Sequence, residues 1–170
     1  MDSALGGPIL TCIAEGIDEV SRAQVRGYDP SMEPTFEAQF NTALGIWDEG
    51  DWEWAAELFQ ALEPFAPHPT ARKATVGVIA AILVENHAYE RALPYALRSV
   101  TLSPTSELSS LGLFWCWVNF ERDDLAWEEA IRYTRLNGYS AEYSHLVALC
   151  WPMVPEELLE LVNECRPGSA

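Results

Sequence analysis

Apolar side chains fall at helical rather than strand spacing along this chain. Ile9, Leu10, Ile13, Ile17 and Val20 share one face of a helix predicted from about Ile9 to Arg26. A Gly/Pro loop, Gly27 to Pro34, then breaks the pattern. Beyond it the periodicity predicts helix pairs at 36–48 with 52–65, 71–86 with 88–101, and 106–121 with 125–137. Two short helices follow at 141–150 and 155–165. Thr35, Thr70, Ser106 and Ser140 are the expected N-caps, and Pro155 with Glu156 and Glu157 makes a favourable first turn. The expected fold class is all-α: an N-terminal segment 1–34, three helix pairs over 35–138, and C-terminal capping helices over 139–170.

The pairs repeat in sequence as well as in pattern. Gly50-Asp51-Trp52-Glu53-Trp54-Ala55-Ala56-Glu57-Leu58-Phe59 runs on to Ala66-Pro67, and Ala88-Tyr89-Glu90-Arg91-Ala92 runs on to Ser103-Pro104. A third copy, Ala126-Trp127-Glu128-Glu129-Ala130, keeps the aromatic and the Ala, so that Trp52, Tyr89 and Trp127 are spaced by 37 and 38 residues. A short side chain at Ala55, Ala92 and Ala130 lets antiparallel helices approach closely, and Pro67 and Pro104 close their units because proline cannot continue a helix. Pro94 is expected to kink the second helix of its pair.

This combination resembles the tetratricopeptide repeat, over roughly residues 36 to 137. The resemblance implies a short solenoid of stacked helix pairs. In such a stack the first helix of each pair lines a concave surface. Phe40, Leu44 and Trp47 in the first unit, Val78 and Ala81 in the second, and Phe114, Trp115 and Val118 in the third are the expected groove residues, with Leu113, Cys116, Trp117 and Phe120 packing inward. The stretch from Leu111 to Phe120 is apolar around its whole circumference, so something must cover both sides. A groove of small residues flanked by aromatics suits an extended or helical peptide; the competing reading is that terminal helices fold over this surface and the excess is ordinary core. Ile9, Ile13 and Ile17 either cap the first repeat or form a homodimer interface.

Charge narrows the partners. With 10 Lys+Arg against 26 Asp+Glu, the formal net charge of −16 repels phosphate backbones and anionic lipid, so neither nucleic acid nor direct membrane insertion is expected. Cys12, Cys116, Cys150 and Cys165 are scattered with no His at metal-ligand spacing, so no metal and no cofactor are expected. Asp2 and the lack of any Lys or Arg before Arg22 argue against a secretory leader, and a cytoplasmic location follows as an expectation. His68, His87 and His145 have no Cys or Ser partner at a catalytic spacing and read as turn or surface residues; no enzyme activity is expected.

Three units, acidity, a leading apolar helix and Phe59-Gln60-Ala61-Leu62 after Gly50-Asp51-Trp52 are similar to the class II chaperones of bacterial type III secretion. That resemblance implies a chaperone holding a hydrophobic secretion substrate in its groove, with Phe40, Leu44, Trp47, Val78, Ala81, Phe114 and Trp115 as client contacts. The alternative is an acidic adaptor, scaffold or immunity-type protein that binds a folded basic partner.

Overall fold

A computed structural model describes residues 35–138, 140–150 and 153–165. Ile9, Ile13 and Ile17 lie outside the described residues. Among those described there are eight α-helices and no strand: α1 Phe36–Asp48, α2 Trp52–Leu62, α3 Pro69–Glu85, α4 Tyr89–Leu102, α5 Glu107–Asn119, α6 Asp123–Asn137, α7 Ala141–Cys150 and α8 Glu156–Cys165. A 3₁₀ turn, Glu63–Phe65, extends α2. The fold class is all-α, as the periodicity predicts. The chain divides into two compact units between Ala88 and Tyr89.

In the first unit α1 packs on α2, and α2 on α3. Phe40 meets Phe59 edge-on at 4.9 Å, and Ala43, Ala55, Ala56 and Phe59 are wholly buried beside them. The small alanines let the two helices close on the aromatic pair. Every side chain of α3 from Val78 to Val84 is buried, which explains why this helix has almost no polar face. In the second unit α5 packs on both α4 and α6, and α8 on α6. Its core joins Phe114, Trp127, Tyr133, Tyr143, Leu146 and Leu158. Helix α4 runs through Pro94 without interruption.

Three of the four expected caps are in place. Thr35 accepts from the Ala38 N–H, Ser106 from Ser109, and Ser140 from Tyr143. Thr70 is not a cap: Pro69 occupies the first helical position, so the cap is His68, whose Nδ1 accepts from the Ala71 N–H at 3.1 Å. Asp51 caps α2 in the same way through the Trp54 N–H.

The repeats show most clearly in the turns. Each of α1, α3 and α5 ends two residues before a left-handed residue: Gly50 at φ 94°, His87 at 58° and Glu121 at 55°. At each, two N–H groups reach back over the helix end: Gly50 to Trp47 and Asp51 to Ile46, His87 to Val84 and Ala88 to Leu83, Glu121 to Val118 and Arg122 to Trp117. This is the Schellman ending, made twice here without glycine at a cost of about 1 kcal/mol each. The turns put the repeat intervals at 37 residues and then 34, and align Ala126 rather than Ala130 with Ala55 and Ala92. The Trp127–Ala130 alignment expected from sequence is therefore one helical turn too late. Ala126 and Ala130 are both wholly buried and lie on the same face of α6, so either satisfies close packing.

Candidate functional site

Eight residues carry the expected groove. Of these Phe40, Trp47, Val78 and Ala81 are buried within the chain, at 8%, 7%, 4% and 6% exposure. Phe114, at 2%, belongs to the core: its ring sits 5.2 Å from Trp127 and 5.9 Å from Tyr143, both edge-on. The expectation that Phe114 faces outward is corrected; of the residues expected to pack inward, Leu113 and Cys116 are buried, Trp117 is half-buried against this core, and Phe120 is half-buried. Apolar periodicity assigns no face to a helix that is apolar all round. Leu44, Trp115 and Val118 keep part of their surface accessible, and Trp115 leans edge-on against Phe114 at 5.5 Å.

Among the described residues, the largest polar constellation is one that the sequence pattern does not single out. On α5 and α6, Ser110 donates to Glu129 Oε1 at 2.5 Å, so the Tyr143 hydroxyl, 2.8 Å away, must donate to Ser110. Arg132 grips the same carboxylate with Nε and Nη2 at 2.7 and 2.6 Å, and its Nη1 donates to the Pro104 carbonyl. The Arg132–Glu129 pairing is bidentate, the strongest geometry open to these groups. Ser140 caps α7 while donating to Glu107. Burial, with the Glu129 charge as a lesser contribution, pushes the Tyr143 phenol far above its usual range.

A serine touching a carboxylate invites comparison with a nucleophile and its base. Ser110 and Tyr143 are wholly buried and Glu129 is 6% exposed, which leaves no space beside the hydroxyl for a substrate. The network acts instead as a clamp: it ties α7 to α5 and α6 and satisfies every charge it buries. The signal that marks it is the i, i+3 placement of Glu129 and Arg132, which reads equally well as a solvated surface pair.

No match to this chain exists among protein-family models, curated proteins or solved structures at a significant level.

Two further groups are set apart by burial. Glu85, at the end of α3, has an Oε1 with no hydrogen-bond partner among the described residues, and desolvation lifts its carboxyl from the ordinary 4.5 to about 7. Between these values the folded chain holds a proton that the unfolded chain has lost. Unfolding free energy therefore falls as pH rises through that window, and the effect levels off above it. Relative to Glu85→Gln, the wild-type chain is expected to lose about 1–3 kcal/mol of stability between pH 4.5 and pH 7, after discounting for partial exposure; denaturant titrations at several pH values check this. Cys116 is buried, and desolvation pushes its thiol up to about 12. In native protein Cys116 is expected to resist iodoacetamide while the half-buried Cys150 and Cys165 react, and to become reactive only on denaturation, as mass spectrometry of the alkylated peptides reports.

The ion pairs Arg122–Asp124, Arg132–Glu129 and Arg135–Glu157 hold three of the cations of the second unit. Arg135 and Glu157 rim a shallow depression on α6 whose apolar wall is Ile131 and Leu136. Among the described residues no group of His, Cys, Asp or Glu is arranged to hold a metal ion, and no helix is long and apolar enough to cross a membrane.

Proposed function

We propose that this chain is a non-catalytic protein-binding module, a chaperone that shields an apolar segment of a secreted client. The observation that carries the reading is α5. From Leu111 to Val118 it has no polar side chain, and after Leu113, Phe114 and Cys116 enter the core, Trp115, Trp117 and Val118 still present apolar surface. A half-covered aromatic edge of this kind is the usual anchor of a protein interface. Net charge −16 complements it, because a soluble acidic partner keeps an apolar client from aggregating. The same charge, with Arg72, Arg122, Arg132 and Arg135 turned toward the chain's own carboxylates, also favours the second reading, an adaptor for a folded basic partner.

The test is Trp115→Asp, with Val118→Asp on the same face as its companion. Each is expected to lower capture of the native client at least about tenfold while helicity is retained. Unchanged capture by both variants contradicts the proposal.

A further inference from the structure

Helix α2 has a second apolar face. Ala55, Ala56, Phe59 and Leu62 enter the core, whereas Trp54, Leu58 and Ala61 recur at i, i+4 and i+7 about a third of a turn away, and Phe65 continues the line in the 3₁₀ turn. Among the described residues of the first unit, Trp54 at 53% exposure and Phe65 at 75% are the large apolar side chains with the most accessible surface. Glu53 and Glu57, one turn apart and both exposed, border this stripe, because Glu57 stands three residues after Trp54 and four before Ala61.

We infer that this face of α2 is a docking site for a basic amphipathic helix of a partner protein, with an apolar ridge that lies on Trp54, Leu58, Ala61 and Phe65 and Lys or Arg side chains that meet Glu53 and Glu57. Charge selects this occupant. Between Thr35 and Ala71 the sequence has seven carboxylates and no Lys or Arg, and the next cation, Arg72, is paired with Glu63 at 4.0 Å. A second copy of the chain would set carboxylates against carboxylates along the stripe, and an anionic lipid surface or a nucleic acid meets the same repulsion. Length fits a helix as well. From Trp54 to Phe65 is eleven residue steps, about 17 Å, which matches three turns of a partner with apolar residues at the same spacing. The stripe shares no residue with the α5 face, so its occupant is a second partner and not the client proposed for α5.

The decisive experiment titrates the full chain with a synthetic Leu/Lys helix of about 14 residues that carries Leu at i, i+4, i+7 and i+11. Its controls are the same pattern with Glu for Lys, and a Leu/Lys peptide of equal composition with its leucines scattered around the helix. The patterned Leu/Lys helix is expected to bind at least about tenfold more tightly than either control. About tenfold should be lost in the double variant Glu53→Lys, Glu57→Lys and also in Trp54→Ser, Phe65→Ser, whereas Trp115→Asp leaves the affinity unchanged. All four substituted side chains on α2 and its 3₁₀ turn are exposed, so the fold is kept, as circular dichroism checks. Equal binding of the scattered peptide, or binding indifferent to both double variants, overturns the inference. The photo-cross-linker p-benzoylphenylalanine at Phe65 of the full chain tests the other occupants. Without peptide, cross-links between two copies, or within one chain to residues outside 35–88, would show the face already covered and overturn the proposal. Cross-links to the patterned peptide alone are the expected result.

Discussion

Replacing Tyr143 by alanine is expected to lower the unfolding free energy by about 3–5 kcal/mol, the cost of deleting a fully buried aromatic ring together with its hydrogen bond. Tyr143 has no exposed surface, and its ring meets Phe114 at 5.9 Å and Tyr133 at 5.5 Å. It is also the α7 side chain that reaches the buried clamp. Alanine would leave a cavity that the surrounding helices cannot close without moving. Tyr143→Phe keeps the ring and removes only the hydroxyl, so its cost is expected near 1 kcal/mol, with Ser110 still satisfied by Glu129. Equilibrium urea unfolding of the two variants separates packing from hydrogen bonding. Equal losses for both would mean that the hydroxyl, not the ring, holds α7.

The second large effect is at Glu129. Glu129→Ala strips the partner from Arg132, which is only about one-third exposed at its side chain, and from the Ser110 hydroxyl, which is wholly buried. Breaking a buried pair from one side costs more than the pair contributes, because the remaining charge keeps its desolvation penalty, and a loss of about 3–4 kcal/mol is expected. Replacing both partners together, Glu129→Leu with Arg132→Leu, is expected to recover part of that loss. A double-mutant cycle between Glu129→Ala and Tyr143→Phe should show a coupling of about 0.5–1 kcal/mol, since Ser110 links the two. Strict additivity would show that Ser110 does not transmit between them.

Much of this architecture is legible in the sequence, and the exceptions have physical causes. Helices of strong period are placed to within a few residues, as α1 and α6 show. Caps are legible where a hydroxyl precedes the first turn. His68 is hard to read as a cap because imidazole is a rarer acceptor, and Pro69 sets the helix start ahead of Thr70. The register of the third pair is obscured because Trp127 supplies the aromatic of the repeat one turn late, while its turn is made by Glu121 rather than glycine. The clamp is illegible for a different reason. Ser110 and Glu129 are polar residues that sequence patterns assign to the surface, yet both are buried, where they join Tyr143 from α7. Phe114 shows the converse: on a helix apolar all round, side-chain chemistry cannot say which residue faces the core.

The reading of this chain as a holder of apolar segments is tested most directly by affinity capture from its native host at low and at high salt, with mass spectrometry of what remains bound. Recovery of a protein with an apolar, membrane-active segment, retained at high salt and lost with Trp115→Asp, is the expected result. A folded basic protein released at high salt and indifferent to Trp115→Asp would contradict it.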